Sequence, residues 1–295
     1  MVSGEAPFPQ PIALGHEGVA EVVSAGPGAG VEPGTRVVVP FQISCGTCEL
    51  CRRGLTANCK TVQPGSMYGF GQFGGDWGGL LSDLVRVPFA AHMLVPLPDG
   101  LAPEALASAS DNIADAWRTV SPWVTERPGA DVLVLGGGAA SIALYSVAIA
   151  HALGAGEVVY IDTDAGRLAL AAELGATPRE GPPPRKAGSF QVVVEATGEH
   201  DGLACAIRST AAGGRCTSVS IFFEETTPMP LLEMYTRGCD FHTGRCHARP
   251  VIPAILDLAA AGKLRPELVT SNTVSWDDAA EALLEPETKL VMTRV

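Results

Sequence analysis

The segment from Asp131 to Asp162 constrains the fold of this chain more than any other. Asp131-Val132-Leu133-Val134-Leu135 is a short, nearly all-apolar run, the pattern of a strand buried on both faces. Gly136-Gly137-Gly138 follows at once, then a long apolar helix to about Leu153, then a second strand from Glu157 to Ile161. Strand, tight turn, helix and strand in that order make a βαβ unit, and such units require a parallel sheet. The alternation continues with a helix over Ala165 to Leu174, a third strand at Gln191-Val192-Val193-Val194 and a fourth over Arg215 to Val219. Gly181-Pro182-Pro183-Pro184 reads as a loop, because proline cannot donate to a central ladder. The expectation is an α/β fold with a doubly wound parallel sheet.

Within that unit, Gly136-Gly137-Gly138-Ala139-Ala140-Ser141 fits G-x-G-x-x-G/A except at its last position, where Ser141 stands. Gly136 supplies the tight turn, Gly138 lets the backbone approach a pyrophosphate, and Ser141 is small enough for helix–strand packing. The amides of Ala139 and Ala140 and the helix N-terminus are expected to meet the phosphates. Asp162 closes the second strand, where a carboxylate can accept both ribose hydroxyls and repel a 2′-phosphate, so NAD is favoured over NADP. Arg167 nearby is a cation able to tolerate that phosphate. Thr197, in Ala196-Thr197-Gly198 after the third strand, is expected to line the nucleotide cleft.

A second signal is Cys45-x2-Cys48-x2-Cys51-x7-Cys59. Four thiolates suit tetrahedral Zn(II), and the short spacings let one loop wrap the ion, with Gly46 and Gly54 allowing the turns. A set of four protein ligands leaves no open position, so the site would be structural. Four free cysteines, two disulfides and an iron–sulfur cluster are the alternatives.

The rest of the chain reads differently from the sheet. Residues 1 to about 120 look β-rich, with runs such as Val19 to Val23 and Arg36 to Val39 between Gly/Pro turns. A helix is expected from near Asp111 toward Trp123, with Asp111-Asn112 as its N-cap. The Gly74 to Gly79 stretch reads as a flexible loop before a strand. From about Thr270 a helix near Asp277 to Leu284 and an edge-like strand at Lys289 to Arg294 complete the chain. The expected domains are 1–121 with a metal lobe at about 41–63, 122–269 for the parallel sheet, and 270–295 returning to the first.

The 295 residues are 46% hydrophobic, enough for buried cores, and carry a net charge of −12. Such a surface repels nucleic acid and anionic lipid. The start has no basic segment followed by an apolar run, and the longest apolar stretch, around Ile142 to Ala150, is too short to span a bilayer. A cytoplasmic protein acting on small molecules is expected.

Gly15-His16-Glu17-Gly18 before Val19-Ala20-Glu21-Val22-Val23, the cysteine lobe about thirty residues later and the nucleotide unit near the middle together resemble the medium-chain zinc-dependent alcohol/polyol dehydrogenases. Gly34-Thr35-Arg36-Val37 matches that family's Gly-Asp-Arg-Val strand with Thr35 as a departure. The resemblance covers nearly the whole chain. It implies a β-rich GroES-like catalytic domain and a Rossmann domain with a cleft between them, a dimer or tetramer, and hydride transfer between an alcohol or carbonyl and the nicotinamide. It also implies a catalytic zinc held by His16 and Asp111, with Glu17 coordinating or standing just behind. Lys289 would approach the pyrophosphate and Arg245 the nicotinamide or substrate side. The Glu17 and Asp111 pattern leans toward polyol, threonine or sugar substrates.

One departure bears on activity. The family's first cysteine ligand precedes Gly-His-Glu by a few tens of residues, whereas fifteen residues precede His16 here and none is cysteine or histidine. The expectation is a GroES-like domain incomplete at its N-terminus through a misassigned start, with a fragment or a lost reaction as alternatives, and weak activity for the chain as given. A zinc-independent quinone-type reductase and a non-catalytic NAD- and zinc-binding remnant are the rival functions.

Overall fold

The computed structural model describes residues 11–70, 74–75, 77–285 and 287–294. The chain divides into two compact units, one comprising 1–114, 246–263 and 270–295, the other 115–245 and 264–269.

In the first unit, β1 (Val19–Glu21), β2 (Arg36–Val38) and β3 (Val95–Pro96) form an antiparallel sheet in that order. Val37, Val39, Ile43, Tyr68, Met93 and Leu94 make its buried core. These strands are shorter than the β-branched runs suggested, because glycine and proline turns crowd each end and leave most main-chain pairing to loops. Among the described residues no strand forms between the Gly74 to Gly79 stretch, of which Asp76 lies outside them, and β3. The loop is instead stitched down. Met67 N donates to Gly74 O and Gly69 N to Gly78 O, both at 2.8 Å, while Leu80 N reaches Gly15 O at 2.8 Å and Leu81 N reaches Leu14 O at 3.1 Å. A Cβ on Gly79 would collide with the Leu14 carbonyl. That close backbone approach holds the residues just ahead of His16.

The second unit contains six parallel strands: β4 (Val132–Leu135), β5 (Val158–Asp162), β6 (Thr177–Glu180), β7 (Phe190–Glu195), β8 (Thr210–Ser218) and β9 (Asp240–His242). Their order is β6-β5-β4-β7-β8-β9, so the winding direction reverses between β4 and β7. That reversal is the position where doubly wound sheets bind ligands, outside the carboxyl ends of the strands. Every residue of β4 is fully buried, as expected for a central strand covered on both faces. The helix Ala140–Ala152 is buried at nine of its thirteen positions and runs from the glycine turn.

The four strands read from the sequence are present, and two edge strands join them. All four residues of β6 are exposed and it contains Pro178, so it carries no apolar signature; an edge strand tolerates both features. The helix that follows β7, His200–Ser209, was also not anticipated.

Back in the first unit, β10 (Asn272–Ser275) pairs in parallel with β11 (Leu290–Thr293), so the expected C-terminal strand forms. The helix expected over Asp277 to Leu284 is reduced to a 3-10 turn, Trp276–Asp278, and one helical turn, Ala279–Ala282. Among the described residues no helix is long and apolar enough to cross a membrane.

A Cβ at Gly136 would fall inside contact distance of the Tyr160 hydroxyl and an Asp162 oxygen. Gly136→Ala is therefore expected to lower stability by about 1–3 kcal/mol, the usual cost of overpacking, read by urea unfolding of the two proteins side by side.

Candidate metal centre and nucleotide site

Four cysteines come together on one loop. Cys45, Cys48, Cys51 and Cys59 place their Sγ atoms within 4.8 Å of one another, close to the span of four ligands sharing one ion with Zn–S bonds of about 2.3 Å. The helical turn Glu49–Arg52 and the 3-10 turn Thr56–Asn58 fold the loop back on itself. Gly46 takes φ +75° with its Cα against the His92 ring, which leaves no room for a side chain. Amides of Thr47 and Cys48 donate to Cys45 Sγ, each at 3.3 Å, and the Thr61 hydroxyl donates at 3.0 Å. Burial opposes ionisation of Cys45, but these donors outweigh it and bring its pKa to about 5. Burial pushes Cys51 up to about 12. A set prepared to ionise at one thiol and resisting at another is what a divalent cation resolves, because it favours the thiolate at every ligand. The residues fit zinc.

The second cluster is built on His16. Its Nε2 lies 3.2 Å from Asp111 Oδ2, and its ring packs against Phe41 and Phe70 at centroid distances of 5.9 and 5.0 Å. Burial works against a charged His16, yet the adjoining Asp111 carboxylate outweighs it and raises the imidazole above its ordinary pKa. Ser110 ties the two segments, accepting from Gly18 N at 3.0 Å and donating to Gly18 O at 3.1 Å. The other oxygen of Asp111 accepts from Cys246 Sγ at 3.4 Å.

The helix expected near Asp111 begins at Asn112 and runs to Glu126. Its first amide, that of Asn112, donates to Glu17 Oε1 at 2.9 Å, while Glu17 Oε2 pairs with Lys289. The structure thus engages Lys289 with Glu17 and directs Asp111 to His16 and Cys246. Its donor set of imidazole and carboxylate suits zinc: the 3.2 Å separation matches the roughly 3.3 Å edge of a tetrahedron with bonds of about 2.0–2.1 Å. Among the described residues, the four lobe cysteines are the one set of three or more such ligands drawn within 4.8 Å of each other.

In the second unit, Gly136, Gly138, Asp162, Arg167 and Thr197 assemble at the carboxyl ends of β4, β5 and β7. Gly138 N donates to Thr197 O at 3.1 Å and Ala139 N to Ala196 O at 2.9 Å. The Ala139 amide is therefore engaged by the chain itself, at the turn that opens the helix Ala140–Ala152. Asp162 accepts from Arg167 Nε at 2.8 Å and Nη2 at 2.7 Å, from Tyr160 Oη at 2.6 Å and from the amides of Thr163 and Asp164. Burial disfavours its charge, but these donors prevail and hold its carboxyl below the usual range. Arg245 is exposed.

Sequence reasoning missed two groups here. Glu195, fully buried at the end of β7, accepts from Thr197 N and Oγ1 at 2.7 Å, Gly198 N at 3.0 Å and Ser220 Oγ at 3.2 Å, and also from Ser218 Oγ. It shapes the loop that meets the glycine turn. The signal available was a lone acid closing the apolar run Gln191 to Val194. Cys246, a single cysteine outside any motif, gave no signal.

Comparison with known proteins places both halves. The alcohol dehydrogenase GroES-like domain model matches residues 1–99, and the zinc-binding dehydrogenase model matches 141–261. A Mycobacterium tuberculosis protein named a probable zinc-binding alcohol dehydrogenase is 30% identical over 94% of this chain and 72% of its own length. The glutathione-independent formaldehyde dehydrogenase of Pseudomonas aeruginosa is 35% identical over 59% of this chain, a match spanning 45% of that enzyme. The alcohol dehydrogenase of Thermus sp. ATN1 superposes with a TM-score of 0.89 at 31% identity, covering 99% of this chain and 87% of that one. A Sinorhizobium meliloti protein solved with NADP bound gives 0.81 at 25%, covering 99% and 86%.

Two outcomes follow from the site geometry. Cys51→Ala should lose the lobe zinc, seen as one ion fewer per chain by metal analysis, with a lower unfolding temperature. Because the folded pKa of Asp162 is depressed, its contribution is fully present above the unfolded value of about 3.9 and is lost as pH falls through the folded value. The stability gap between the wild-type chain and Asp162→Asn should accordingly shrink as pH is lowered below about 4, measured by urea unfolding across a pH series.

Proposed function

We propose, from the premise that the chain belongs to the zinc-binding alcohol dehydrogenase family, that this oxidoreductase moves a hydride between an alcohol or polyol, or the corresponding carbonyl, and NAD(H). The observation that carries the proposal is the pairing of His16 with Asp111 at the ligand–ligand spacing of zinc. When bound, zinc supplies a Lewis acid for the substrate oxygen, and the nicotinamide supplies the hydride acceptor.

The chain's own residues prepare for both. His16 offers Nε2 and Asp111 an oxygen. Phe41 and Phe70 pack beside the imidazole and keep its flank apolar, which reduces water around the reacting oxygen. Glu17, pinned by Asn112 N and Lys289, holds the His16 segment to the start of the helix and fixes the direction of its neighbour. Cys45, Cys48, Cys51 and Cys59 hold a structural zinc.

For the nucleotide, Gly136 and Gly138 give the close backbone approach, and Ala139 fixes the turn through Ala196. Ala140 and Ser141 present the helix N-terminus to the pyrophosphate. Thr197 forms the opposite wall. Asp162 faces the adenosine ribose as an anion. Arg167 spends two nitrogens on that carboxylate, so its charge is largely compensated and a 2′-phosphate gains little; this favours NAD over NADP.

The test is alcohol-dependent reduction of NAD by the zinc-loaded chain across primary, secondary and polyol substrates, with a quinone assay alongside. His16→Ala should lower kcat/KM by on the order of 100-fold or more, with NAD affinity unchanged by fluorescence titration. Unaltered turnover in His16→Ala, quinone-only activity, or NAD binding with no alcohol oxidation would each overturn the reading.

A further inference from the structure

We infer that Tyr160 is a positioning residue for the adenosine ribose of the nucleotide, acting through Asp162. The inference rests on the proposed binding of NAD and adds to it a residue that no motif marks.

The first observation is placement. Along β5, Val159 and Ile161 turn into the hydrophobic cluster on one face of the sheet, so Tyr160 and Asp162 share the other. Tyr160 is wholly buried, and its hydroxyl donates to Asp162 Oδ2 at 2.6 Å. A Cβ built on Gly136 would lie 2.3 Å from the Tyr160 hydroxyl and 2.4 Å from Asp162 Oδ2. The phenol oxygen therefore touches both the glycine turn and the carboxylate. It sets the spacing between the turn, where the pyrophosphate is proposed to bind, and the acid proposed to meet the ribose. Those two parts of a dinucleotide are joined by a few covalent bonds, so an error in that spacing cannot be absorbed by the ligand.

The second observation is the number of donors on the acid. A carboxylate offers about four acceptor sites. Asp162 Oδ1 accepts from the amides of Thr163 and Asp164 and from Arg167 Nη2, and Oδ2 accepts from Tyr160 Oη and Arg167 Nε. A ribose hydroxyl can be accepted only where one of these donors yields. The amides belong to the main chain, and the phenol is closed in beneath Gly136. Arg167, whose side chain is 23% exposed, is the donor able to release one of its two bonds. When it does, Tyr160 is the side chain that still holds Oδ2 in a fixed direction.

The third observation is chemical. Burial, with the neighbouring Asp162 charge adding to it, pushes the Tyr160 phenol up, so it keeps its proton and remains a donor to the carboxylate. A side chain that only filled this space could be phenylalanine. A buried hydroxyl costs free energy unless it is bonded, and here the bond goes to the acid at the strand end.

The test titrates the zinc-loaded full chain by calorimetry with NAD and with the analogue whose adenosine ribose lacks the 2′-hydroxyl. The wild-type chain should bind NAD at least about tenfold more tightly than the analogue. Tyr160→Phe removes one oxygen and keeps the ring. It should weaken NAD about tenfold and the analogue less than about twofold, so that discrimination between the two collapses. In an Asp162→Asn background the same change should cost less than about twofold for either ligand, because the group it acts through has been altered. Unchanged NAD affinity in Tyr160→Phe, or an equal loss for both ligands, overturns the positioning role and leaves NAD binding standing. A wild-type chain that binds both ligands alike lacks the ribose contact through which Tyr160 acts, and overturns the inference even if the variants do not fold. Failure of the wild-type chain to bind NAD at all overturns this inference and the NAD reading together.

Discussion

A carboxylate withdrawn from water must be answered by donors or cations, and that requirement organises each unit around its acidic residues. In the parallel-sheet unit, Glu195 gathers the Thr197–Gly198 loop, Ser218 at the end of β8 and Ser220 just beyond it, while Asp162 gathers Tyr160, Arg167 and two amides. The loop shaped by Glu195 is the one whose carbonyls receive Gly138 and Ala139, so the glycine turn takes its form from a buried acid on a neighbouring strand. In the other unit, Glu17 and Asp111 play corresponding parts. One joins the segment beside His16 to a helix start and to Lys289, and the other joins His16 to Cys246. These contacts are costly to leave half made, which makes each cluster a single arrangement rather than a choice among several.

Much of this was legible in the residues. The central strands announced themselves because strands buried on both faces must be continuously apolar, as Val132 to Leu135 and Gln191 to Val194 nearly are. The glycine turn and Asp162 were readable because a close backbone approach and a charge at a strand end each demand a particular residue type. The cysteine lobe was readable because its ligands are local in sequence. Edge strand β6 was not, since its four exposed residues carry no periodicity and its pairing is decided by the sheet beside it. Sequence motif alone also assigned the Ala139 amide to a phosphate. In the fold its partner is Ala196 O, an acceptor nearly sixty residues away that no local pattern could show.

The same limit explains Lys289 and Cys246. Both lie far along the chain from the residues they touch, 272 positions from Glu17 and 135 from Asp111 respectively. Each is a lone side chain whose meaning comes from tertiary placement. Resemblance to a family brought Lys289 to notice for a different contact, whereas Cys246 matched no motif. Residues that gain a role by long-range packing are the ones a local reading passes over.

The bond from Ala57 N to His247 Nδ1 has a bearing on how the protein ages under oxidative stress. Ala57 belongs to the stretch between the third and fourth cage thiols. Oxidation of the loop's thiols would therefore slacken the brace behind His247, and with it the alignment of the neighbouring Cys246 thiol and Asp111 carboxylate. A disturbance in the cysteine loop is thereby passed to the backbone beside Cys246 and Asp111 without any atom there being modified.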